Sequence, residues 1–189
     1  AKSAWECGDP GLQYDTTINR WHTCPESGRI NGSNPCSEYM FLDNSACNLA
    51  SINLMRFRDE DGGFDAGRFE AACRVVFIAQ EVLVDRASYP TKRITETSHL
   101  FRPIGLGYSN LGSLIMASGV PYDSDAARGL CSAVTAILHG AACRTSAELA
   151  RAKGPFARFE ENRDAMLDVM QMHWEKVERI EHAPRGLQQ

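Results

Sequence analysis

Residues 33–54 read "SNPCSEYMFLDNSACNLASINL". The stretch holds two cysteines, Cys36 and Cys47, eleven positions apart. The first is flanked at two-residue spacing by an amide and a carboxylate: Asn34, Cys36, Glu38. In an extended segment, alternate side chains share one side and rise roughly 3.3 Å per residue. Three groups so spaced would face one volume over about 13 Å of backbone, within reach of one small polar ligand. After "YMFL" and a "DNS" turn, "CNLASINLMRF" (47–57) sets Leu49, Ser51 and Asn53 against Ala50, Ile52 and Leu54. This alternation predicts a strand with one polar and one apolar face. The two cysteines then sit on neighbouring limbs of a loop that goes out and comes back.

Upstream, "CGDPG" and "PESGRINGSNP" read as turn and loop, with Asn31-Gly32 a turn signal of its own. "GLQYDTTINRWH" fits a short strand or a helix. Downstream, Asp65 is a plausible N-cap for a helix running to about Ala87. Its apolar stripe is Phe69, Ala72, Cys73, Val76, Ala79, Val82 and Leu83, which makes Cys73 a core residue. In "RPIGLGYSNLGSLIMASGVPYDS" (102–124), Gly105, Gly107 and Gly112 approach a dinucleotide fingerprint, but Asn110 stands where the third glycine belongs. A strand, a tight turn and a helix capped by Gly119 are the simpler reading. A long helix is predicted from Asp123 or Ser124 to Gly154, with Leu130, Val134, Ile137 and Ala141 on its apolar face. His139 reads as a packed residue. A last helix, "NRDAMLDVMQMHWEKVERI", would turn Met166, Leu167, Met170, His173, Trp174 and Val177 inward.

The 189 residues suffice for one domain with a proper core, at 43% hydrophobic and 23% charged content. Twenty Lys and Arg against 24 Asp and Glu give a net charge of −4, which argues against a nucleic-acid footprint. The longest apolar runs, such as "VVFIA", are short for a bilayer span, and no signal peptide is visible, so a cytoplasmic location is expected. The seven cysteines form no CxxC pair, and the first four are 17, 12 and 11 apart. A structural zinc site is not expected, nor any other metal ligand set, and one or two thiols with redox or catalytic use fit better. The chain begins without methionine and ends on "HAPRGLQQ", and reads as a slice of something longer.

"NPCSE…NSACNLASINL" resembles the large catalytic subunit of ribonucleotide reductases, most closely the adenosylcobalamin-dependent ribonucleoside-diphosphate kind. "WECGDPGLQYDTTINRWHTCP", "RPIGLGYSNLGSLIMASGVPYDS" and "KGPFARFEENRDAML" carry the likeness through essentially the whole chain, in the same order. The resemblance implies an α/β fold: a fragment of a ten-stranded α/β barrel with a central finger loop, mostly helical within this slice. Residues 1–189 would be a partial catalytic barrel domain, with the loop and active-site segment at 1–56 and strand and helices at 57–189.

It implies reduction of ribonucleotides to 2′-deoxyribonucleotides by a thiyl-radical route. Cys36 would become the thiyl that takes hydrogen from the 3′ carbon, with Glu38 as base on the 3′-hydroxyl. Asn34 would hold the ribose hydroxyls, with Ser33 beside it, since radical transfer tolerates little misplacement. Cys47 would be half of the redox pair, its partner cysteine lying before residue 1. The adenosylcobalamin site, the remaining strands and a C-terminal cysteine relay would also lie outside the chain. Implied partners are the ribonucleotide, nucleotide effectors, a thioredoxin-like dithiol and a second copy in a homodimer. One alternative is a reductase whose radical arrives from a separate metal-bearing subunit. Two others are a noncatalytic helical module binding a nucleotide or protein, and a thiol hydrolase using His22 as base to Cys36.

Overall fold

Two parallel strands and the helices that cross between them organise the chain in a computed structural model describing residues 1–187. Short helices α1 (Lys2–Cys7) and α2 (Asp15–Arg20) open it, so the undecided "DTTINR" is helical. Strand β1 (Asn48–Asn53) follows the cysteine loop and passes into a 3-10 turn at Leu54–Phe57. Helices α3 (Ala66–Arg86) and α4 (Lys92–Phe101) then lead to β2 (Ile104–Ser109) and α5 (Leu111–Ala117). The long α6 (Asp125–Lys153) and α7 (Phe159–Val177) complete the chain. β1 and β2 pair in parallel from Asn48↔Ile104 to Asn53↔Ser109. A parallel pair needs a long crossover, and α3 with α4 supplies it.

The strand faces are as expected: Ile52 and Leu54 are buried, while Leu49, Ser51 and Asn53 are exposed. Asp65 caps α3 by accepting from the Arg68 N–H at 2.9 Å, and Ser124 caps α6 from Ala127 at 3.2 Å. Asn110 takes the left-handed conformation (φ 66°) between β2 and α5, one of the few non-glycine residues that does so readily. Gly119 ends α5 at φ 67°, as expected. Helix α4 has no counterpart in the sequence reading; Thr91 caps it by accepting from the Ile94 N–H at 3.2 Å.

The core joins β1, the turn after it, and α3, α5 and α6 through Ile52, Leu54, Phe57, Phe69, Leu114 and Val134. Phe57, Phe64 and Phe69 meet edge to face or tilted, with centroids 5.3–6.3 Å apart. Cys73 is fully buried there, as expected, and burial lifts its thiol to about 11. Along α6 the buried side is Leu130, Val134, Leu138 and Ala141, with Ile137 partly covered. By length and composition alone α6 is long and apolar enough to cross a membrane, and in this fold it packs on α3.

Two predicted stripes are corrected. On α3 the buried line is Phe69, Cys73, Gln80 and Val84, while Val82 and Leu83 are exposed. On α7, Leu167, Trp174 and Val177 are exposed, and Asn162 and Val169 point inward. Asn162 is fully buried because it satisfies the N-terminal segment. It accepts from the Glu26 N–H at 3.0 Å and donates to Ser27 Oγ at 2.7 Å.

Candidate active site

The loop that carries the cysteines is a turn where extension was expected. Ser37 N–H donates to the Asn34 carbonyl at 3.1 Å, and Ser37 is left-handed at φ 64°. The alternation that would align residues 34, 36 and 38 on one face is therefore broken by the turn itself. No turn forms at Asn31-Gly32; instead Asn31 donates to Asp43 across the base of the loop at 3.0 Å. The Asn34 side-chain oxygen accepts from the Tyr39 N–H at 3.0 Å and folds the loop back. Gln13 reaches in from the N-terminal segment, donating to Ser37 Oγ at 2.8 Å and Ser33 Oγ at 3.3 Å. The Ser33 hydroxyl in turn donates to the Asn34 carbonyl at 2.9 Å.

The return limb is pinned by aromatic rings and hydroxyls. Phe41 packs edge-on against Phe101 and His22, with centroids 5.6 and 5.9 Å away. Tyr39 donates to Ser45 Oγ at 2.8 Å, and burial raises its phenol above the ordinary range.

Glu38 and Cys47 line one cleft of about 420 Å³ with Tyr39, Leu49 and the glycine strand Gly105–Gly107. That size suits a small-molecule site. Cys36 is exposed near the turn and lies outside this lining; Asn34 and Ser33 are partly covered. Gly105 makes the cleft possible: a Cβ there would collide with Leu49 and stand 3.4 Å from the Cys47 sulfur. Burial, and then the charge of Glu38, push the Cys47 thiol up. At neutral pH it stays protonated, suited to giving hydrogen and electrons and poorly suited to nucleophilic attack.

His22 is not free to serve as a base. Its Nδ1 accepts from the Cys24 N–H at 3.3 Å, so Nε2 carries the proton it donates to the Gly28 carbonyl at 2.9 Å. Burial also lowers its basicity. This occupation of both ring nitrogens removes the support for a thiol hydrolase. Cys24 is buried, and Cys7 donates to the Ser3 and Asp9 carbonyls. Among the described residues no three His, Cys, Asp or Glu side chains gather into a metal-binding group.

The sequence profile described as "Ribonucleotide reductase, barrel domain" matches residues 1–188. The chain belongs to that family. The "Vitamin B12-dependent ribonucleotide reductase" of Rhodopirellula baltica is 68% identical over 180 residues, 95% of this chain and 17% of that protein. The protein of the same name from Streptomyces coelicolor is 52% identical over 92% of this chain and 18% of its own length. The "Vitamin B12-dependent ribonucleoside-diphosphate reductase" of Mycobacterium tuberculosis is 38% identical over 87% of this chain and 24% of its own length. The chain thus spans under a fifth of the first two relatives. An Actinobacillus ureae class Id ribonucleotide reductase alpha subunit superposes with a TM-score of 0.69 over 85% of this chain and 32% of its own. At 21% identity that likeness shows the fold. The expectation of a mostly helical piece of the reductase's α/β barrel is met, with β1 and β2 as two of its strands.

Neither Gln13 nor Gln80 is singled out as a site residue by the sequence reading. Gln13 lies twenty positions from Ser33, and no local pattern links them. Gln80 carried one signal, an amide on a helix face otherwise apolar at Phe69, Cys73 and Val84.

Proposed function

We propose that the protein to which this chain belongs reduces ribonucleotides to 2′-deoxyribonucleotides through a thiyl radical on Cys36. The observation that carries the reading is the Glu38 carboxylate and the Cys47 thiol lining one sugar-sized cleft, on the loop holding the Asn34-Pro35-Cys36-Ser37-Glu38 sequence. Glu38 takes the proton of the 3′-hydroxyl while the Cys36 thiyl removes the 3′ hydrogen, and both are returned once the 2′ carbon has been reduced, which restores the thiyl. The amide oxygen of Asn34 is engaged by Tyr39, which leaves its NH₂ as the group that holds a ribose hydroxyl. Ser33 supports it by bracing the loop. The 2′-hydroxyl leaves as water. Cys47 and a partner cysteine outside the chain supply two electrons and two protons and become a disulfide.

Adenosylcobalamin is the cofactor in this reading, on the vitamin B12-dependent names of the relatives. The Cys47 cleft, at about 420 Å³ and with no imidazole in its lining, does not fit it. The cofactor would be held by parts of the longer protein, and no step here is routed through it. Diphosphate substrates follow the name of the Mycobacterium tuberculosis relative. A thioredoxin-like reductant, nucleotide effectors, a homodimer, a partial catalytic barrel domain over 1–189 and a cytoplasmic location belong to the same reading.

The test is Cys36→Ser in the full-length protein, because a hydroxyl cannot replace the thiyl. Deoxynucleotide formation is expected to vanish while the ribonucleotide still binds in equilibrium dialysis. Turnover retained within tenfold would overturn the reading in favour of a noncatalytic role for the loop.

A further inference from the structure

We infer that Gln80 is a positioning residue that fixes the gap between β1 and β2 at Cys47. This rests on the redox role proposed for that thiol. Gln80 is 2% exposed, on the buried side of α3. Burying an amide is costly unless its groups are bonded. Its NH₂ bridges both strands, donating to the Asn48 carbonyl at 3.1 Å and the Gly105 carbonyl at 2.9 Å. The Asn48 side chain returns a bond to the Gln80 backbone carbonyl at 3.0 Å. Both amide orientations follow, since only NH₂ groups can serve three carbonyls.

These bonds fall at the rungs Asn48↔Ile104 and Leu49↔Gly105, and Cys47 is the residue just before them. The sulfur of Cys47 lies against Gly105, within van der Waals reach of where a side chain there would begin. Gln80 thereby holds the strand behind the thiol to the strand in front of it. The cost is visible: Gln80 Oε1 and Asn48 Oδ1 are buried with no hydrogen-bond partner. Orphaned acceptors offset much of what the three bonds contribute, so the network is a weak stabiliser and a tight constraint. A disulfide forms only within a narrow window of Cβ separation, about 3.5–4.5 Å. A thiol that must close and reopen one needs a strand that does not drift.

The experiment uses the full-length protein with Gln80→Met, which keeps length and removes the donors. Val84→Ala is the comparison, trimming the next buried residue of α3 without touching a strand carbonyl. Peptide-resolved iodoacetamide labelling across pH 6–10 reads Cys47, and equilibration with a dithiol buffer reads its disulfide. In Gln80→Met, labelling of Cys47 at pH 8 is expected to rise about fivefold or more as water enters the gap. The disulfide equilibrium should move about tenfold, or ~30 mV. Val84→Ala should leave both within about twofold. Should Gln80→Met not fold, Asn48→Ala removes the return bond alone and should shift labelling in the same direction. Unchanged labelling in the folded variant, or an equal change in Val84→Ala, overturns the inference. Labelling reads the clamp whether or not the thiol cycles, whereas Cys47→Ser with full dithiol-driven turnover would sink the redox reading alone.

Discussion

The charge of Glu38 acts on the Cys47 thiol before either group acts on any ligand. The carboxylate in the shared cleft helps hold the thiol protonated, after burial has done the larger part. The pair therefore presents one proton acceptor and one hydrogen donor to the same small volume. Glu38→Gln keeps the shape and removes the base; in the full-length enzyme kcat is expected to fall about 10²–10⁴-fold with little change in KM. Steady-state kinetics on ribonucleotide check this, and a KM effect alone would mean Glu38 only binds. Gly105→Ala tests the other side of the cleft. Its methyl would press on Leu49 and on the Cys47 sulfur, so labelling of Cys47 by iodoacetamide should fall while the melting temperature shows whether Leu49 has moved aside. The residues of the signature were legible in sequence because they are contiguous. Their presentation was not, because the Asn34–Ser37 turn is selected by bonds from Gln13 and Tyr39 that arrive from outside the motif.

At the level of elements, caps were the most readable features, since each depends on a side chain within three residues of the helix start. Ser124→Ala on α6 should cost about 1 kcal/mol, measured by denaturant titration. The stripes of α3 and α7 were less readable. Apolar residues at three- and four-residue spacing define more than one face, and the neighbour decides which is covered. On α3 the β1–β2 pair draws Gln80 inward and leaves Val82 at 56% exposure. On α7 the N-terminal backbone draws Asn162 inward and leaves Trp174 at 61%. Phe69 has no such ambiguity, touching both Phe57 and Phe64 with no exposed surface. Phe69→Ala should cost about 3–5 kcal/mol, and a loss below about 1 kcal/mol would mean that the aromatic cluster collapses around the gap.

For the molecule as a whole, three histidines link stability to pH. His22 and His173 are held below the ordinary imidazole value by burial, and His139 by burial and by the neighbouring His173, whose ring centroid is 4.4 Å away. Each binds its proton more weakly folded than unfolded. Their contribution is complete above about pH 6.5 and is lost as pH falls through the lower folded values. The melting temperature of the full-length protein should drop by a few degrees between pH 7.5 and 5.5, and His139→Phe should flatten that slope. The sequence by itself determined the order of elements downstream of the cysteine loop apart from α4, the helix caps there, the two-faced strand and the family, because each is written in residues close along the chain. The tertiary structure alone decided which helix faces are buried, that the thiol of Cys47 shares a cleft with Glu38, and that Gln80 spans two strands. Those depend on contacts between residues up to 136 positions apart, such as Glu26 with Asn162, and no local periodicity encodes the partner across such a distance.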